Sequence, residues 1–190
     1  MSDLPLQLQG GNVSLDLLTL NDAPALQELL ERCADFSWLV EGEPPSPHAA
    51  QDMLADLPPS KTLADKFLYG IFREKTLVGV LDGIRGYPQE GTWWIGLLLL
   101  DPAQRGRGTG EQALLAFEDW AGQQGAQALM LGVVEENRRG FNFWRRMGFT
   151  LVETRPPRRF GQKEQVVLVM RKEYQPPPPH VPASRNLPSA

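Results

Sequence analysis

Apolar residues at Val13, Leu15 and Leu17 alternate with polar neighbours, the period-2 signature of a strand with one covered face. Pro24 then falls in the first turn of a helical stretch that the spacing predicts to end near Cys33, with Asn21 as its N-cap. Phe36, Trp38, Leu39 and Val40 precede the breaker-rich GEPPSP, after which residues 47–57 read as a second short helix, capped by Ser46 and stopped by Pro58 and Pro59. Residues 67–73 and 77–86 flank a short polar break at Glu74 and Lys75 and predict an antiparallel hairpin. Beyond the turn YPQEG, residues 92–100 read TWWIGLLLL, apolar almost throughout, as expected of a central strand covered on both faces.

At residue 109 the pattern changes to helical period, with Ala113, Leu114, Phe117, Trp120 and Ala121 on one face and Gly125 closing the helix. A strand over 128–134, an amphipathic helix over 138–147 ended by Gly148, and a strand pair at 149–154 and 166–171 complete the order βα(α)βββαβαββ. That order predicts an α/β (α+β) domain with a mixed, mostly antiparallel central sheet flanked by helices. Residues 1–174 form this single domain, and 175–190, with the run PPPPH, read as an extended tail unable to enter a helix or an interior strand.

Composition narrows the function classes. The 190 residues fit one core, and 42% hydrophobic with 22% charged residues is ordinary globular composition. A net charge of -4 without any Lys/Arg-rich block argues against nucleic acid as a partner. No apolar run approaches the ~20 residues of a membrane span and the N-terminus lacks a leader pattern, so the expectation is no membrane and a cytoplasmic chain. Cys33 is the lone cysteine, on a helical apolar pattern, and His48 and His180 are far apart, so neither a disulfide nor a metal cluster is expected.

The chemistry concentrates where the apolar strand ends. Leu100, Asp101 and Pro102 are followed by Arg105, Gly106, Arg107, Gly108, Thr109 and Gly110, which open a helix. Glycine-permitted turns there present backbone N–H groups at a helix N-terminus, which is an anion site. Thr109 and Gln112 stand in capping-box relation, and Arg105 and Arg107 add positive charge. A dinucleotide site is a rival reading, because Gly108, Gly110 and Ala113 match GxGxxA and Glu135 follows the next strand. Against it, DPAQR separates the glycines from their strand, and the preceding strands form a meander.

These residues resemble the GNAT superfamily of N-acetyltransferases, which carries a strand ending in Val/Leu-x-Pro, then R/Q-x-x-G-x-G/A at a helix start. Its second block, a strand, an Asn, then a helix ending in Gly-Phe, is similar to LMLGVVEENRRGFNFWRRMGF, from Leu129 to Phe149. The resemblance covers about 13–171 and implies a sheet splayed between the strands at 92–100 and 129–134, with acyl-CoA in the gap. It implies pantetheine pairing with the backbone around Leu98, Leu99 and Leu100, pyrophosphate on 105–110, and contacts from Asn137, Phe143 and Trp144 to the cofactor arm. Asn137 also suits the N-cap of its helix, and Phe143 and Trp144 also suit the core.

Acetyl transfer from acetyl-CoA needs an amine deprotonated, an oxyanion donor and a departing thiolate. A backbone N–H near Leu98 meets the second need. Many relatives place a tyrosine acid seven residues after the Asn, where this chain has Trp144. Tyr87 or Tyr69 are the phenolic alternatives, and Glu90 and Glu135 are the candidate bases. Asp35 and Glu41 lie in the region that in relatives covers the acceptor site, suited to a cationic amine. The acceptor is an amine on a small molecule or protein, a homodimer is in keeping with relatives, and a catalytically silent acyl-CoA-binding protein and an NAD(P)-dependent enzyme stay open as alternatives.

Overall fold

A computed structural model describes residues 7–174, so the expected proline-rich tail lies outside the described residues. Eight strands form one sheet in the order β1-β2-β3-β4-β5-β6-β8-β7. These are β1 Gln7–Gly10, β2 Val13–Leu17, β3 Lys66–Arg73, β4 Thr76–Ile84, β5 Thr92–Leu100, β6 Ala128–Val134, β7 Thr150–Phe160 and β8 Lys163–Glu173. Every neighbouring pair is antiparallel except β5 and β6. That parallel pair needs a crossover, which the helix α4, Thr109–Gln123, supplies.

The β3–β4 hairpin turns at Glu74 and Lys75, both with positive φ (49° and 66°), the geometry that matches a two-residue turn to strand twist. Two faces then bury separate cores. On one, Val13, Leu15, Phe67, Tyr69, Ile71, Trp93, Ile95 and Leu131 pack under Leu114, Phe117 and Trp120 of α4, with Trp144 and Phe149 beside them. Glu118 and Lys172 fasten α4 to β8 at 2.7 Å, and burial pushes the Glu118 carboxyl up despite the lysine. On the other, Leu68, Leu77, Val80 and Leu99 pack under helices α1 (Ala23–Arg32), α2 (Ala34–Val40) and α3 (Ala49–Ala55). The remaining helix, α5, runs Arg138–Arg146. Among the described residues no helix is long and apolar enough to cross a membrane.

Several local expectations are corrected. Thr19, not Asn21, caps the turn before α1, because Thr19 and Asp22 form a reciprocal capping box and Asn21 donates its N–H to the Thr19 hydroxyl. His48, not Ser46, is the N-cap of α3, and the Ser46 hydroxyl accepts only from the His48 N–H at 3.1 Å. Residues 34–40, left without an element by the pattern, form α2, while β1 is an added edge strand and β7 and β8 outrun their apolar centres.

Gly83 carries the tightest fit in the middle of the sheet. A methyl group there would overlap the Trp94 carbonyl oxygen and the Phe67 ring, neither of which has room to retreat. Gly83→Ala is expected to lower stability by about 1–3 kcal/mol, read as a lower urea midpoint at unchanged slope.

Candidate functional site

The strands β5 and β6 pair only from Thr92 with Ala128 to Ile95 with Leu131. Beyond that point β5 stays with β4 and β6 stays with β8, so their inner edges run on unpaired. The cause is local. Asp82 pairs with Leu97 and Gly83 with Ile95, so Gly96 is an extra residue that bends β5 away from its neighbour. The Asp101 N–H donates to the Val78 carbonyl at 2.8 Å, which fixes the alternation past the bulge. Leu97 and Leu99 therefore turn their amides to β4, whereas Leu98 and Leu100 turn theirs into the gap. Leu99, expected among the cofactor contacts, offers the gap no backbone group.

At the far end of that edge, Gly106 and Gly108 take left-handed φ of 76° and 79° and lead into α4. Gly108 is the N-cap and provides no side-chain acceptor, so the first amides of the helix stay open. The expected Thr109–Gln112 box does not form. Thr109 lies inside the helix and is buried, and the Gln112 side chain accepts from the Asn12 N–H at 3.1 Å instead. A Cβ on Gly106 would meet nothing within 4 Å, so the space before the helix is clear for an anion.

Arg105 does other work than expected. Its guanidinium grips both oxygens of Asp35 on α2, and its Nε donates to the Leu100 carbonyl at 2.8 Å. The Cys33 thiol donates to the same carbonyl at 3.4 Å, so Leu100 keeps only its N–H for the gap. The arginine holds the Asp35 carboxyl below its usual range, while burial pushes the Cys33 thiol up. Asp35 is thus paired within the fold while its side chain stays more than half exposed. Arg107 is exposed and lines a hollow of about 330 Å³ with Arg73 and Gln104.

The helix α2 is tied at both ends. Its start is held by Arg105 beside β5, and its last carbonyls, Leu39 and Val40, accept from the Gln165 side chain on β8 at 2.9 and 3.1 Å. Lys163 adds a bond to Leu39 at 3.0 Å. Because β6 lies between β5 and β8, α2 bridges the open end of the gap on one face. Glu41 follows directly, its carboxyl raised by burial and by the nearby Glu43 charge.

On α5, the Asn137 side chain accepts from the Gly140 N–H at 2.9 Å, a true N-cap. Phe143 reaches the start of α4, where a Cβ on Gly110 would touch its ring at 3.6 Å. Trp144 is buried, with the Phe143 and Phe149 rings at 5.0 and 5.2 Å, as a core residue. The catalytic candidates are dispersed. Tyr87 and Glu90 precede Thr92, at the paired end of β5, and the Tyr87 ring stands edge-on to Trp94 at 6.1 Å. Glu90 lies in the turn before β5, and Leu98 is six positions, roughly 20 Å of strand, beyond Thr92, so the structure does not bring Glu90 to the gap. Glu135 follows β6 at the open end and is exposed. Tyr69 is fully buried against Trp120, and its hydroxyl is harder to ionise for that reason.

One carboxylate was missed. Asp82, in the middle of β4, bonds Lys66 of β3 at 2.5 Å and lies against Gly96. Burial raises its carboxyl despite the lysine. A charged residue inside the apolar run VGVLDGI was the available signal.

A family model described as the Acetyltransferase (GNAT) family matches residues 23–149. The chain is 30% identical over 150 residues to an uncharacterized protein of Mycobacterium leprae, covering 77% of this chain but 38% of that protein's length. An acetyltransferase from Thermus thermophilus superposes with a TM-score of 0.71 at 24% identity, covering 88% of this chain and all (100%) of that one. The PaiA N-acetyltransferase of Thermoplasma acidophilum, solved in complex with coenzyme A, gives 0.62 at 21% identity, over 85% and 99% of the two chains. At such identities the structural likeness is one of fold.

Removing the Asn137 cap is expected to cost about 1 kcal/mol. Equilibrium denaturation of Asn137→Ala checks this, and a fully wild-type midpoint would show that the cap bond does not hold α5.

Proposed function

The chain belongs to the acetyltransferase (GNAT) family, and we propose that it moves an acetyl group from acetyl-CoA to a primary amine of a small molecule or protein, by direct attack in a ternary complex. The observation that carries this reading is a free strand edge inside a sheet, running straight into an uncapped helix N-terminus. An extended arm bearing amides can add to such an edge as a strand would, and an anion at its end meets the helix amides. Pantetheine joined to pyrophosphate has that composition. The coenzyme A complex of the Thermoplasma relative supports the same ligand.

In this reading the Leu98 carbonyl and the Leu100 N–H pair with the pantetheine amides. The Leu98 N–H faces the thioester oxygen and stabilises the oxyanion as it develops. The amides of the 106–110 turn hold the pyrophosphate, and Arg107, exposed beside them, adds charge. Asn137 and Phe143 border the arm, and Trp144 supports Phe143 from the core. Arg105 acts through α2, setting the end of β5 in place, without touching the pyrophosphate with its side chain.

Acetyl-CoA at about a hundred times its Kd is expected to stabilise the protein by about 2.7 kcal/mol in a thermal shift assay. Stabilisation by NADH or NADPH with none by acetyl-CoA would overturn the reading in favour of a dinucleotide enzyme. Gly108→Asp places a carboxylate where the pyrophosphate is expected and should abolish coenzyme A binding by calorimetry. Gly108→Ala, with the same left-handed backbone and no charge, should retain more of it; equal affinity of both variants and wild type would move the pyrophosphate elsewhere.

A further inference from the structure

Two glycines flank the point where the sheet parts. Ile95 and Leu131 are the last paired residues of β5 and β6, and Gly96 and Gly132 are the next on each strand. Neither has room to spare. A Cβ on Gly96 would lie 2.9 Å from Oδ2 of Asp82, and one on Gly132 would lie 2.9 Å from the Val167 side chain. Gly96 is nevertheless exposed and Gly132 half-buried, so the backbone on both sides of the parting is accessible.

Asp82 lies beside that point. It pairs with Leu97 across β4 and β5, next to Leu98, and with no side chain at Gly96 its carboxylate lies over the β5 backbone toward the gap. Lys66 binds Oδ1, which holds the group in place and leaves Oδ2 turned to Gly96. Burial and the charge of Asp56, which follows α3, raise the carboxyl, while Lys66 and a bond from the Gly83 amide lower it. A carboxylate held by Lys66, with its other oxygen against the exposed Gly96 backbone, is suited to accept a proton there.

We propose that Asp82 is the general base, taking a proton from an acceptor ammonium that reaches the thioester between Gly96 and Gly132. This rests on the acetyl-transfer reading above. The ammonium gives one proton to Asp82 and the neutral amine attacks the thioester carbon, forming the C–N bond. As the tetrahedral intermediate collapses, the C–S bond breaks and the nitrogen's second proton goes to the departing thiolate. Asp82 then releases its proton to water, so the products are the amide, coenzyme A thiol and one proton.

The test compares wild type with Asp82→Asn, using acetyl-CoA with spermidine, a lysine-containing peptide, a peptide with a free N-terminus, and water alone as acceptors. Acetyl-CoA affinity by calorimetry should be the same in both proteins, which also shows that the variant folds. Thiol release near neutral pH should fall by about 10²–10⁴-fold in the variant. What remains should climb about tenfold per pH unit, because only free amine or hydroxide then reacts, whereas wild type levels off. A variant with the wild-type rate and profile overturns the base assignment and leaves acetyl transfer intact. A wild type that binds acetyl-CoA but releases no thiol with any acceptor overturns both, and one that does not bind it overturns the acetyl-transfer reading first. Should Asp82→Asn not fold, Gly96→Ala displaces the same carboxylate without removing it, and an unchanged rate there overturns the assignment equally.

Discussion

Two strands that start as parallel neighbours part when one of them takes up an extra residue, and the rest of the site is arranged around that parting. The bulge at Gly96 bends β5, β4 follows it, and β8 holds β6 on its own course. Backbone groups buried in a sheet normally find partners within it. Here the groups of Leu98 and the N–H of Leu100 face a gap, and the fold keeps that gap from closing by fixing each strand firmly on its outer side. The core beneath, from Phe67 and Trp93 to Phe117 and Trp120, is densely aromatic and makes the paired half of the sheet rigid.

The open end is secured by side chains whose types alone suggest other work. Arg105 belongs to the glycine-rich motif, yet its bonds to Asp35 and Leu100 make it a fastening between α2 and the end of β5. Gln165 and Lys163 complete the fastening on the β8 side. In the proposed anion site, positive charge is thereby left to Arg107 and to the helix N-terminus, whose amides act without a side chain. The same ties place α2 over the opening at which an acceptor would arrive.

Much of this was legible in the sequence because it rests on local pattern. The hairpin at Glu74 and Lys75, the apolar run of β5, the period of α4 and the glycines that break φ all follow from short-range rules. So does the linked spacing of the two motif blocks. What the sequence hid depends on register and on long-range contacts. Gly96 reads as one more residue of an apolar strand, and only the pairing of Asp82 with Leu97 and Gly83 with Ile95 makes it a bulge. Glu90 looked close to the site because it is near β5 in sequence, but the sheet opens at the other end of that strand. Gln112 looked like a cap partner and instead reaches Asn12, 100 residues away. Asp82 was visible as a charge in an apolar run, but its closeness to the gap depends on a missing side chain in the next strand.

Amide hydrogen exchange with and without acetyl-CoA tests the central claim most directly, because it reads the backbone groups that the account assigns to the ligand. Leu98, Leu100 and the amides of 106–110 should exchange readily in the free protein and become protected when acetyl-CoA is bound, while Thr92 to Ile95, already paired with β6, should change little. Protection that leaves Leu98 and Leu100 unaltered and appears elsewhere would contradict the account, since the cofactor would then not be lying along the parted edge of β5.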